Sequence, residues 1–117
     1  MGFKRGNIHL VKFSPVKGVE PGKIRPAIIF QSQDLLDIGY KTVIVIPLTT
    51  NLKGDFPLRV RISKRDKLEK DSNAMIDQIR AIDSSRIYRE IIAVLTNQEL
   101  KQIEESICIV TGMERGI

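Results

Sequence analysis

The chain holds no tryptophan, one histidine and one cysteine among its 117 residues. Each scarcity excludes something. A lone Cys108 cannot build an internal disulfide framework, which fits a reducing cytoplasm. A lone His9 makes a paired-histidine acid and base within one subunit impossible. No Cys/His cluster and no carboxylate constellation of the two-metal nuclease kind is present, so no metal or other cofactor is expected. Aromatic residues are confined to Phe3, Phe13, Phe30, Tyr40, Phe56 and Tyr88. With Phe30 assigned to the core, few remain for the stacking platforms on which single-strand binders usually rely. Phe56, between Asp55 and Pro57, is the one aromatic expected to stand exposed on a loop. No apolar run approaches the ~20 residues of a membrane span, and Met1 to Asn7 lacks a signal-peptide core. Gly6 stands where a myristoylation motif needs Ser or Thr.

What the chain has is charge of one sign, concentrated at one end. Its formal net charge is +5, and residues 1 to 30 alone carry six basic side chains against Glu20. Residues 31 to 95 sum to +2 and residues 96 to 117 to −2. A clustered basic excess is the electrostatic footprint of a polyanion binder, although a solvated basic face has the same composition. The length is that of one domain, residues 1–117, with a single core.

Short apolar runs broken by turn residues predict a mainly β fold, a small barrel or sandwich of antiparallel strands. Strands are expected at Ile8 to Phe13, Arg25 to Phe30, Thr42 to Pro47, Leu58 to Ile62, Ala74 to Ile82 and Ile91 to Leu95. One helical turn is expected at Asp34 to Ile38, closed by Gly39, and Lys64 to Asp71 reads as a solvated connector. Thr96-Asn97-Gln98-Glu99 is a capping box, and Leu100, Ile103, Ile107 and Val110 form one apolar stripe at helical spacing. Gly112 is placed to end this amphipathic C-terminal helix.

Two segments join a polar group to a buried-strand pattern: Lys23-Ile24-Arg25-Pro26-Ala27-Ile28-Ile29-Phe30 and Val43-Ile44-Val45-Ile46-Pro47-Leu48-Thr49-Thr50. Pro26 biases Arg25 toward extended backbone, because the proline ring clashes with a helical predecessor. A cation and a hydroxyl, each at a strand end, can together grip one phosphate.

Arg5-Gly6-Asn7, Ser14-Pro15, Gly18-Val19-Glu20-Pro21-Gly22, Arg25-Pro26-Ala27-Ile28-Ile29, Ile46-Pro47-Leu48-Thr49, Lys70-Asp71-Ser72 and Asp77-Gln78-Ile79-Arg80-Ala81-Ile82-Asp83 follow in order, then Arg86 and the C-terminal helix, from Lys4 to about Gly112. This ordered set resembles the MazF/PemK/Kid family, toxins of type II toxin–antitoxin pairs that cleave messenger RNA. Asn7 departs from the usual Asp after Arg-Gly but keeps a turn-forming side chain. The resemblance implies an SH3-like barrel, a homodimer, and metal-independent endoribonuclease activity on single-stranded RNA. It also implies a cognate antitoxin whose acidic, disordered segment lies across the basic groove.

By the same resemblance Arg25 is the catalytic arginine, Thr49 the catalytic hydroxyl with Thr50 as its neighbour in reserve, and Glu20 the candidate general base. Gln78 and Arg80 fall on positions near the RNA groove, where an amide and a guanidinium can read base edges, with support of the dimer as the alternative role for Arg80. Lys17 and Lys23 are candidate phosphate contacts and Phe56 a candidate RNA contact. His9 reads as a packed or edge histidine, and Asp71-Ser72 and Asp83-Ser84 as turns. Two other functions remain open: a gyrase-poisoning toxin of the same fold, and a non-catalytic RNA-binding barrel.

Overall fold

The computed structural model describes residues 2–13 and 23–114. Seven strands and two helices follow in order: β1 (Asn7–Lys12), β2 (Ile24–Ile29), α1 (Gln33–Asp37), β3 (Thr42–Thr49), β4 (Arg59–Ile62), β5 (Ser72–Met75), β6 (Arg80–Asp83), β7 (Ile87–Val94) and α2 (Asn97–Thr111). All strand pairs are antiparallel, in the order β4-β5-β3-β2-β1-β7, and β6 also pairs with β3. Among the described residues the path has two ends, so the sheet does not close into a hydrogen-bonded barrel.

Alternation along the central strands sorts side chains onto two faces. Ile8, Ile28, Ile46 and Leu48 pack in one core with Val60, Ile62, Ile92, Ile103 and Ile107. Val11, Ala27, Ile29, Val43 and Val45 pack in the other with Phe13, Leu36 and Ile82. The stripe on α2 lies on the first core: Ile103 and Ile107 are buried, and Leu100 and Val110 pack partly buried beside them.

The run Ala74 to Ile82, expected as one strand, is broken into β5, a 3-10 turn at Ile76–Gln78, and β6. The reason is a change of core. Ile76 and Ile79 both pack on the first core, three residues apart, whereas Ile82 belongs to the second. A straight strand of period two cannot deliver that sequence of faces. β3 runs on past Pro47 to Thr49. Pro47 is tolerated because β6 pairs only up to Val45 and β5 begins at Leu48, so neither needs a proline N–H. β7 starts at Ile87, four residues earlier than the expected Ile91, and its register with β1 shifts twice. Those irregularities hide its alternation, since Tyr88 to Ile91 are all exposed.

The connector between β4 and β5 is more firmly held than its charge suggests. Leu68 is buried in the first core, and the backbone N–H of Lys67 donates to the Ile92 carbonyl. Arg65 forks onto Glu99 with bonds of 2.7 and 2.5 Å, both side chains being about four-fifths buried. Glu99 also closes the capping box with Thr96, accepting from its N–H at 2.8 Å. One carboxylate therefore caps α2 and ties the connector to it. Gly112 ends that helix at φ 76°, a left-handed turn that glycine adopts without a Cβ clash.

Burial would raise the Glu99 carboxyl, but the Arg65 fork and the Thr96 bonds together hold it below its ordinary 4.5. A depressed carboxylate pKa contributes stability that is present above the unfolded value and lost as pH falls through the folded one. Thermal stability should therefore decline below about pH 4.5, and Glu99→Gln should flatten that decline. At neutral pH Glu99→Ala should cost about 1–3 kcal/mol, through the lost cap and the orphaned guanidinium, measured by denaturant unfolding. An unchanged midpoint would show that the fork contributes nothing to stability.

Candidate active site

Local pairing brings Arg25 and Thr49 to the same place. β1 and β2 pair throughout, with Val11 opposite Arg25 and Leu10 opposite Pro26. The β2–β3 ladder runs from Ile29↔Val45 to Ala27↔Pro47 and stops there. Pro26 and Pro47 carry no N–H, so they cannot extend it. Continuing that register by two residues sets Arg25 across from Thr49, in the mouth where the two strands part.

The Arg25 side chain is half-buried, and its Nη1 donates to the Leu48 carbonyl at 3.4 Å, immediately before Thr49. That long bond leaves the other donors of the fork uncommitted, and among the described residues Arg25 has no acidic partner. Thr49 Oγ1 accepts from the Asn51 N–H at 3.2 Å, which orients the hydroxyl and leaves its own O–H to donate. The loop beyond is anchored by buried Asn73, which stands opposite Thr49 in β5. Its Nδ2 donates to the carbonyls of Asn51 and Lys53, both at 3.4 Å, and its Oδ1 accepts from Arg61 at 3.2 Å.

Two open clefts meet at Arg25. One, of ≈ 260 Å³, is lined by Lys23, Arg25, Leu48, Thr49 and Thr50. The other, of ≈ 390 Å³, is lined by Phe13, Lys23, Arg25, Met75, Gln78 and Arg80. The structure thus gathers Lys23, Arg25, Thr49, Thr50, Gln78 and Arg80, six of the side chains singled out from the sequence, around one junction. Glu20 and Lys17 lie outside the described residues. Phe56 is exposed between β3 and β4 and lines neither cleft.

Phe13 and Met75 were not foreseen. Phe13 sits at the end of β1 with its N–H bonded to the Lys23 carbonyl at 2.9 Å, and the Arg80 guanidinium lies 5.4 Å from its ring centroid. That stacking holds the Arg80 plane against the cleft wall. The signal was available in the hairpin, because pairing Ile8 with Ile28 carries Phe13 to Lys23. Asp77, next to Gln78 in sequence, is engaged with Arg59 at 2.7 Å, and the charged residues lining this cleft among the described residues are all cations.

His9 does not take part. It is buried in β1 against the Phe3 ring, and Nδ1 lies 2.8 Å from the Tyr88 carbonyl. Burial lowers its pKa, so the neutral ring donates that proton to Tyr88. Arg5, part of the N-terminal basic excess, is likewise engaged, with Glu104 at 2.6 Å and the face of Phe30 at 4.3 Å. Among the described residues no group of three or more His, Cys, Asp or Glu is placed to hold a metal ion. No described helix is long and apolar enough to cross a membrane.

Residues 4–111 match the family of PemK-like, MazF-like toxins of type II toxin–antitoxin systems. The chain belongs to that family. It is 37% identical over 115 residues to the endoribonuclease MazF of Staphylococcus saprophyticus, a match covering 94% of this chain and 92% of that one. Solved structures share the fold at lower identity. The MazE–MazF crystal structure (Form-II) from Deinococcus radiodurans superposes with TM-score 0.79 at 22% identity, covering 97% of this chain and 99% of that one. The Mycobacterium tuberculosis toxin MazF-mt6 gives TM-score 0.76 at 20% identity, covering 93% and 99%.

Because Lys23, Arg25 and Arg80 share one junction, binding of a single-stranded polyanion such as poly-uridylate should weaken steeply with salt. With about three to five phosphates neutralised, the log–log slope should lie near −2 to −4. Lys23→Ala should make it shallower by roughly one unit or less. A flat salt response in a filter-binding titration would place the effective basic surface elsewhere.

Proposed function

We propose that this protein is a toxin endoribonuclease that cuts single-stranded RNA without a metal, using the RNA's own 2′-hydroxyl as nucleophile. The observation that carries this reading is the pairing of a free guanidinium fork with a free hydroxyl, Arg25 across from Thr49, where the β2–β3 ladder ends. A phosphate seated there meets a planar cation that stays charged at any working pH, together with a hydrogen-bond donor. The 2′-oxygen attacks phosphorus as a base removes its proton, and the P–O5′ bond breaks while the departing oxygen gains a proton. The products are a 2′,3′-cyclic phosphate and a 5′-hydroxyl. Arg25 stabilises the charge that builds on the phosphoryl oxygens and transfers no proton. Glu20 is the assigned base, acting from the segment between β1 and β2.

Gln78 and Arg80, on the far wall of the second cleft, are assigned to reading bases, with Lys23 and Lys17 holding flanking phosphates. Kinship with the Staphylococcus enzyme and with the MazE–MazF complexes supports a cytoplasmic homodimer silenced by a cognate antitoxin. An acidic, disordered antitoxin segment would lie along the same cations that take RNA.

Cleavage of a long single-stranded RNA with EDTA present tests the reading. Arg25→Ala should slow it by about 10²-fold or more, the usual cost of losing one preorganised charge donor. Arg25→Lys should restore only part, since an ammonium lacks the fork. Thr49→Ala should also be slow, whereas Thr49→Ser should stay within about tenfold of the parent. Because both groups serve one phosphate, the double variant should be less impaired than the product of the single effects. A 5′-phosphate product, or loss of activity with chelator, would replace this mechanism with metal-activated water. Binding without cuts would make the protein a non-catalytic RNA binder, and neither would point to a protein target such as gyrase.

A further inference from the structure

A third cavity adjoins the cleft at Thr49 and Thr50 and shares no lining residue with the cleft of Gln78 and Arg80. It encloses ≈ 350 Å³, within the range of about 300–1,000 Å³ usual for small-molecule sites. Its floor is apolar, built from Leu10, Pro26, Leu48, Leu68 and Ile92. Its rim is polar and consists of Thr49, Thr50 and Ser72 with the connector residues Lys67, Glu69 and Lys70. The strand pleat explains the division. Arg25 and Thr49 belong to one face of β2 and β3, whereas Pro26 and Leu48 alternate onto the other. Pro26, Leu48, Thr49 and Thr50 line this pocket and the phosphate cleft alike, so the two adjoin along one shared wall.

Resting on the nuclease reading above, we propose that this pocket is a nucleobase subsite, receiving the base of one of the two nucleotides that flank the scissile phosphate. Continuity identifies the occupant. A strand whose phosphate touches Thr49 has its neighbouring bases within reach of whatever shares the Thr49 and Thr50 wall. Charge agrees, because Lys70 and Lys67 stand on the rim where the chain's next phosphate would pass. Lys67 makes an exposed ion pair with Glu90, while Lys70 has no acidic partner among the described residues. The pocket's chemistry fits a flat, mostly apolar base edged with polar atoms. Unpaired RNA bases are splayed out and read in this way. Ser72 Oγ donates to the Lys70 carbonyl at 3.0 Å, so Thr50 and Glu69 supply the free hydrogen-bonding groups for that edge.

The connector is rigid enough to serve as a pocket wall. Arg65 is clamped to Glu99, Leu68 is buried, and the Lys67 N–H is bonded to the Ile92 carbonyl at 3.0 Å. The subsite would make cleavage depend on the identity of a flanking base that Gln78 and Arg80 do not touch.

The test uses the full-length protein and an oligonucleotide carrying its mapped cleavage sequence, with an abasic site at either flanking nucleotide. One abasic position should lower kcat/KM by about tenfold or more. Leu10→Trp, which fills the pocket from below, should impose a similar loss on the intact oligonucleotide and add little to the loss on that abasic one. Lys70→Ala should raise KM on both while leaving the mapped cut position unchanged. Full activity on both abasic oligonucleotides would overturn the proposal, as would equal impairment of intact and abasic substrates by Leu10→Trp. Should Leu10→Trp fail to fold by circular dichroism, photo-crosslinking of a 4-thiouridine at the flanking position to the unaltered protein decides. Linkage to residues 67–72 supports the subsite, and linkage only to the Gln78–Arg80 wall overturns it. If Leu10→Trp changes the oligomeric state by light scattering while both substrates suffer alike, the pocket is a seam between copies. Absence of any RNA cleavage would instead defeat the nuclease reading on which the subsite rests.

Discussion

Everything at the site depends on where one ladder stops. β2 and β3 are central strands, and for three residue pairs they are locked at a register that buries Ile28 and Ile46 on one face and Ala27, Ile29 and Val45 on the other. A slip of one residue would carry each of these into the opposite core, whose packing it does not fit, so the register is held by the burial of both. The ladder then meets Pro47 on one strand and Pro26 on the next position of the other. Neither has an N–H to offer, and the strands separate. The first residues free of the ladder that still carry its register are Arg25 and Thr49. Neither is placed by a loop of its own. Both are placed by the interior they have just left.

β3 does a second job that makes this possible. On its other edge it pairs with β6 from Thr42 to Val45, loses contact at Ile46 and Pro47, and then pairs with β5 at Leu48 and Thr49. The gap is filled by the 3-10 turn at Ile76–Gln78, whose Ile76 plugs the first core. That turn projects Gln78 outward and starts β6 at Arg80, so the same discontinuity that accommodates Pro47 also forms the far wall of the second cleft. A continuous strand from Ala74 to Ile82 would have put Ile76 and Ile79 on opposite faces, without the step that brings both onto the first core and starts β6 at Arg80. Breaking the strand is therefore part of how the cleft is made.

The amino-acid pattern revealed some of this more readily than the rest. α2 was legible to the residue, because a capping box, a stripe at steps of three and four, and a terminal glycine are all local signals. β1, β2 and α1 were nearly so. The division of 74–82 was not, because it depends on two cores that exist only after the sheet folds. The connector was read as solvated from its charges, yet a single buried leucine and an Arg65–Glu99 fork pin it down. Arg25 and Thr49 were visible as polar residues at strand ends beside prolines. Phe13 was not visible as a site residue, because aromatic residues in β runs are ordinarily assigned to cores. It is indeed buried, and it contributes to the cleft only by the one face on which Arg80 lies.

The proposed chemistry explains why such a site needs no unusual titrating group. An enzyme that must create its nucleophile needs a base tuned by burial or a metal that acidifies water. RNA brings its nucleophile attached to the bond to be broken, so what the protein must supply is alignment and charge at one phosphate. Strand ends suit that task. They are half-buried, which strengthens the interaction of a guanidinium with a phosphate, yet they open on a surface along which a polymer can lie. The only strongly buried ionisable ring, His9, is spent inside the fold on a backbone carbonyl. The Arg65–Glu99 fork, the best-shielded ion pair here, is spent on holding the connector. Beyond the long bond of Arg25 to the Leu48 carbonyl, Arg25 and the Thr49 hydroxyl stand uncommitted to other acids or acceptors among the described residues at the junction, and a transesterification within RNA asks the protein for little else beyond a group to take the 2′ proton.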